Sequence, residues 1–142
     1  AMVYLDRVET KWPLRIQLPI GTQVPFHCTA SGKMYLSSLK PRLFAKYLNL
    51  VTLGAHTDHT MTDPAVLTAE IEAIRAQGYA LDNEEFMEGM VAIAVPLIDA
   101  QNRLMSTLSV HAPTQRMALS DLSAQLPRLQ SAAVELAELV IQ

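Results

Sequence analysis

The segment Val91-Ala-Ile-Ala-Val-Pro-Leu-Ile98 constrains the fold more than any other stretch of the chain: it is continuously apolar and bounded by turn formers. A run of that length without alternation reads as a strand buried on both faces. Asp99-Ala-Gln-Asn-Arg103 then supplies turn chemistry, and Leu104–Val110 returns as a second strand with Ser106, Thr107 and Ser109 among apolar neighbours. Hydroxyls inside an apolar strand need partners, either within the protein or on a ligand.

The rest of the chain supplies layers to cover such a sheet. Met2–Thr10 and Leu14–Leu18 alternate as strands, and Pro19-Ile-Gly21 closes the second. Val24–Cys28 is extended, and Thr29 is a good N-cap for a helix through Ala30–Leu39 that Pro41 ends. A short helix is expected from Arg42 to Tyr47, then a loop, then a polar turn from His56 to Pro64. Asp63 caps the next helix with Pro64 at its first position. That helix runs to Ala76, Gly78 stops it, and Leu67, Ile71 and Ile74 mark its buried stripe. Tyr79–Leu81 is a short strand leading into Asp82-Asn-Glu-Glu85. A last helix from Ser120–Asp121 to Ile141 is bent at Pro127. This order of elements gives an α+β fold, an antiparallel sheet covered by helices.

At 142 residues the chain is one domain by length. Half its residues are hydrophobic and 18% are charged, which points to burial beyond a monomer core, in a dimer interface or a ligand cavity. A net charge of −3 argues against this chain gripping nucleic acid itself, because duplex binding needs a basic footprint. No apolar run approaches the roughly 18 residues of a membrane span. The single cysteine, Cys28, excludes an internal disulfide and favours a reducing cytoplasm.

Two segments together resemble one family. Gly78-Tyr79, the acidic cluster at Asp82–Glu85, the strand reaching Pro96, the short turn and the Ser-rich returning strand form the first. Val24-Pro-Phe-His-Cys-Thr-Ala-Ser-Gly-Lys-Met-Tyr-Leu36 forms the second. Their order and separation resemble the C-terminal effector-binding domain of IclR-type transcriptional regulators, nearly end to end. The resemblance implies a GAF/PAS-like sensor fold. It also implies that residues 1–142 are the sensor domain without the family's N-terminal winged helix-turn-helix, so that DNA is reached only through that missing part. It further implies a small organic acid or aromatic effector, assembly as a homodimer or tetramer, and no cofactor.

The resemblance assigns a pocket residue by residue. The Thr29-Ala-Ser-Gly-Lys33 turn borders it, with Ala30 and Ser31 where family members place small ligand-contacting residues. Asp82 faces it, Ala92 matches a further small position, and Ser109 and His111 match the polar strand positions that hydrogen-bond the effector. Met90 and the Leu14–Leu18 strand would add aliphatic walls. Read without the family, the same turn is an ordinary capped helix start, and Asp82, Glu84 and Glu85 are a solvated turn. A helix N-terminus with small residues at Ala30, Ser31 and Gly32 favours a carboxylate approaching the backbone. His111 stands where some relatives have serine, and an imidazole charged near neutral pH would suit an anionic effector.

Other constellations weigh less. His27, Cys28, His56, His59, Asp82 and His111 are metal-ligand types without compact spacing, so no metal is expected. Cys28 reads as a buried small residue. Ser31, His111 and Asp82 could formally make a nucleophile, base and orienter, but no nucleophile-elbow glycine pattern surrounds Ser31. The alternatives to a sensor are therefore a hydrolase-like enzyme on those three residues, or a dimerisation domain with no small ligand.

Overall fold

The computed structural model describes residues 2–3 and 23–141. The strand expected at Leu14–Leu18, the Pro19–Gly21 turn and most of the Met2–Thr10 strand lie outside the described residues. A three-stranded antiparallel sheet is built from β3 (Ala80–Asn83), β4 (Met90–Ile98) and β5 (Leu104–Pro113) in the order β3-β4-β5. A short antiparallel pair joins β1 (Met2–Val3) to β2 (Gln23–Val24). The Asp99–Arg103 turn connects β4 and β5, with Asp99 accepting from the N–H groups of Gln101 and Arg103. Registry shifts between Leu97 and Ile98, a bulge that twists this end of the hairpin.

β4 is central, and Met90–Val95 is buried on both faces, as its unbroken apolar run requires. Alternation sends Val91, Ile93, Val95 and Leu97 to one side, against α4 (Leu119–Ser123) and α5 (Leu126–Ile141) through Leu122, Leu129, Ala133 and Ala137. Ala92 and Ala94 face the other side. There they join Ala80 of β3, Ala30 and Met34 of α1 (Ala30–Ser38), Phe44 of α2 (Pro41–Leu50), and Leu67, Ile71 and Ile74 of α3 (Pro64–Gln77). Helices thus cover both faces of the antiparallel sheet, the expected α+β architecture.

Local chemistry sets the helix ends. The Thr29 hydroxyl accepts from Gly32 N–H at 3.0 Å, and Asp63 accepts from Ala65 N–H with Pro64 beginning α3. Gly78 ends α3 at φ 82°, a left-handed conformation that costs glycine nothing. Two expectations change. α2 begins at Pro41 and continues to Leu50. The last helix is two helices, α4 and α5. Pro127 is the second residue of α5, in the first turn, where its missing N–H costs no hydrogen bond; it helps start a helix instead of bending one.

Candidate functional site

The polar residues picked out by sequence converge on the α1 side of the sheet. In an antiparallel sheet directly paired residues share a face. Asp82 pairs with Ala92 and Ala92 with His111; Ala94 pairs with Ser109. Asp82, Ser109 and His111 therefore flank a floor made of the two alanines, and Ala30 of α1 packs in the same cluster as that floor. Asp82 and His111 stand two strand spacings apart, roughly 10 Å, with only the methyl of Ala92 between them. Met90 is buried and has the same parity as Ala92. Thr29, Ala30, Ser31 and Gly32 are all buried above this face.

The α1 entry is narrower than expected for an anion. Thr29 donates its hydroxyl to Pro25 O at 2.7 Å and accepts from Gly32 N–H, so that N–H is already used. The missing side chain of Gly32 serves packing: a Cβ there would lie 2.5 Å from the Phe26 carbonyl oxygen and 2.6 Å from Thr29 Oγ1. Backbone of the same protein occupies the space attributed to a ligand. The N–H groups of Ala30 and Ser31 remain as the first two donors of α1, which no helix satisfies internally.

Asp82 is fully buried, and its environment is not the solvated turn of an isolated acidic run. Oδ1 accepts from Glu85 N–H at 2.8 Å, while Oδ2 has no hydrogen-bond partner among the described residues. Desolvation pushes this carboxyl up to about 7, despite the opposing backbone N–H groups of Glu85 and Phe86. Glu85 is also buried, because Lys33 reaches it. Lys33 Nζ, fully enclosed, lies 2.9 and 3.0 Å from the two Glu85 oxygens and 2.9 Å from Glu70 Oε2. This ion cluster ties α1, α3 and the β3–β4 turn together beneath the site. Lys33 was legible only as part of the Gly-Lys motif. Its position in an otherwise apolar Met34-Tyr-Leu36 context was the available signal, since a lysine there must either reach solvent or find carboxylates.

On β5, Ser109 Oγ and His111 Nε2 lie 3.2 Å apart. Burial pushes the imidazole down to about 4, so it is neutral at pH 7 and brings no positive charge to an anion. The charged-histidine expectation is corrected by desolvation; His111 offers hydrogen bonds only. The catalytic alternative fares no better. The hydroxyl bonded to His111 is that of Ser109, not Ser31, and the nearest polar contact of Asp82 is Glu85 N–H, so no Ser31–His111–Asp82 relay is assembled.

Two further features lie outside this face. A groove of about 410 Å³ opens between the end of β4 and α5, lined by Val95, Pro96, Ile98, Ala133 and Ala137 among others. Its walls are mostly apolar and converge on none of the expected residues. At the entry to α1, His27, Cys28 and His56 come together, with donor atoms within 4.8 Å of one another. Sequence spacing could not show this, because His56 arrives from the loop between α2 and α3. His59, Asp82 and His111 are not part of that trio.

Small residues and polar groups on one sheet face, under the N-terminus of a buried helix, and an apolar opposite face characterise this α+β domain. Comparison with known proteins gives its class. Residues 1–138 match the family described as the bacterial transcriptional regulator IclR C-terminal domain, and the chain belongs to it. It is 41% identical over 135 residues to "Probable transcriptional regulator SauR" of Cupriavidus necator, covering 95% of this chain and 54% of that protein. It is 39% identical to the HTH-type transcriptional regulator BhcR of Paracoccus denitrificans, covering 96% and 49% respectively. The chain thus spans about half the length of these relatives. The solved IclR of Thermotoga maritima superposes with a TM-score of 0.87 at 31% identity, over 96% of this chain and 55% of that one. The PobR inducer-binding domain from Acinetobacter, solved with 3-hydroxybenzoic acid, gives 0.82 at 31%, over 87% and 73%. These are transcriptional regulators and their domains, not enzymes, and the fold is the GAF/PAS-like one of IclR C-terminal domains. Among the described residues no helix is long and apolar enough to cross a membrane.

Proposed function

We propose that this chain is the effector-binding domain of a cytoplasmic IclR-type regulator, that it senses a small organic acid, and that binding controls DNA contact elsewhere in the protein through oligomerisation. The observation that carries this reading is the buried, unpaired Oδ2 of Asp82 beside an alanine floor and the Ser109–His111 pair. A buried polar atom without a partner calls for one, and a mostly apolar concavity with few convergent polar groups is the usual form of a ligand site. The PobR domain with its bound hydroxybenzoic acid supports an acid of aromatic size.

In this reading Thr29 and Gly32 shape the α1 entry, while Ala30 and Ser31 offer their N–H groups to the ligand carboxylate. Ser109 and neutral His111 hydrogen-bond its other end, and Met90 and Ala92 line the floor. Asp82, titrating near 7, binds as the protonated acid, which can donate to a carboxylate where an ionised one would repel it. A ligand shifts oligomerisation only by its differential affinity for the two assembly states.

The test is calorimetry with acetate, 3-hydroxybenzoate and the uncharged amide of each, on wild type and Ser31→Asp. At least one acid should bind, its amide should not, and Ser31→Asp should weaken binding about ten- to a hundred-fold, as loss of a charge-assisted hydrogen bond does. A variant that is folded by circular dichroism and binds the same acid equally well would remove the anion from this turn.

A further inference from the structure

We infer that His27, Cys28 and His56 form a binding site for a divalent transition-metal ion, with zinc the best match to the donor set. Their three donor atoms lie within 4.8 Å of one another. Zinc bonds of about 2.0–2.1 Å to nitrogen and about 2.3 Å to sulfur set tetrahedral donors roughly 3.5 Å apart, so side-chain shifts of about 1 Å close the site.

His27 Nε2 lies 2.8 Å from the carbonyl oxygen of Gly54, an atom that can only accept. Nε2 therefore carries the proton, and Nδ1 presents the lone pair. The His56 ring stands 5.8 Å from that of His27 and 5.6 Å from that of Phe86, and its exposure provides an entry path and an open fourth position for water. Cys28 is fully enclosed and His27 is buried, so the solvent-facing side of the trio is that of His56.

Packing alone accounts for Cys28, and loop anchoring alone accounts for His27. Neither explains why an exposed histidine from a separate loop comes within coordination reach of both. Two nitrogens and a thiolate select zinc over magnesium or calcium, which prefer oxygen. Bound metal would fasten the His56 loop to the entry of α1. Thr57 and Thr60 of that loop already donate to the carbonyls of Glu84 and Glu85. The site stands independently of the effector proposed above.

The experiment is titration of the tag-free chain with Zn²⁺ by calorimetry and with Co²⁺ by absorption. One equivalent should bind, and the cobalt form should show tetrahedral bands with a thiolate-to-cobalt charge-transfer band. Cys28→Ser should abolish the charge-transfer band. His56→Ala, at an exposed position that leaves the fold intact, should weaken binding roughly tenfold or more. His59→Ala, in the same loop but outside the trio, should change nothing. Absence of stoichiometric binding, retention of affinity in His56→Ala, or its loss in His59→Ala would each overturn the assignment. Should Cys28→Ser fail to fold, His56→Ala decides alone.

Discussion

The two faces of β4 are built from one strand and obey different rules. Val91, Ile93, Val95 and Leu97 present large branched side chains to Leu122, Leu129, Ala133 and Ala137, with Leu108 and Val110 of β5 and Leu81 of β3 alongside. The other face carries Ala92 and Ala94, bordered by Asp82, Ser109 and His111 and backed by the Lys33 ion cluster. One face is an apolar interlock in which volume is everything. On the other, small residues leave room and polar groups are enclosed at a cost in desolvation. A strand that merely holds a domain together has no need of the second arrangement, and this asymmetry is why the proposed ligand site is put on the polar side.

The largest expected effect separates the two kinds of stability. Lys33→Met should destabilise the domain by about 3–5 kcal/mol, because Glu85 would be left buried without its cation. On the apolar face, Ile93→Ala should cost about 2–4 kcal/mol, as deletions in packed cores do. Urea unfolding of both variants checks this. A Lys33→Met loss well below that of Ile93→Ala would mean that the buried ion cluster does not hold the polar face together as described.

Titration sharpens the contrast within the polar face. The folded-state pKa of Asp82 is raised from 3.8 to about 7, so the stability it contributes is fully present below about pH 4 and is lost as pH rises through 7. His111 runs the other way: lowered from 6.5 to about 4, its contribution is present above pH 6.5 and lost as pH falls toward 4. Asp82→Asn keeps an oxygen for Glu85 N–H, and its stability relative to wild type should improve by about 2–4 kcal/mol between pH 4 and 8. His111→Gln should gain about 1–3 kcal/mol on wild type between pH 7 and 4. Flat differences across these windows would mean that neither group is desolvated as the fold implies.

Local chemistry was readable from the chain; closure in space was not. The Thr29 cap, the Asp63–Pro64 start, the Gly78 stop and the Leu67–Ile71–Ile74 stripe all depend on neighbours within a few residues and appear as expected. The alternation that puts Asp82, Ser109 and His111 on one face was equally available, because β pairing has period two. Lys33 escaped notice because α1 is buried on nearly all sides and shows no amphipathic stripe to mark an anomalous charge. The His27–Cys28–His56 trio escaped because a loop, not a motif, brings its third member in. The packing constraint on Gly32 is hidden for a related reason: it comes from Phe26, six residues earlier but folded back over the helix start.

The smallest expected effect tests whether the polar face is organised for itself or for a ligand. Ser109 Oγ and His111 Nε2 share a hydrogen bond of 3.2 Å, a long contact between half-buried groups. A net intramolecular hydrogen bond of this kind contributes about 0.5–1.5 kcal/mol, and at 3.2 Å the lower end applies. Ser109→Ala should therefore lower stability by about 0.5 kcal/mol, well below Ile93→Ala on the opposite face. Affinity for the acid identified by calorimetry should fall more, by about tenfold, because a hydroxyl directed at a ligand is worth most when the ligand's own polar group has been desolvated. A variant that loses stability on the scale of Ile93→Ala while binding the acid unchanged would make Ser109 a structural residue, and the two faces of β4 would then differ in polarity without differing in purpose.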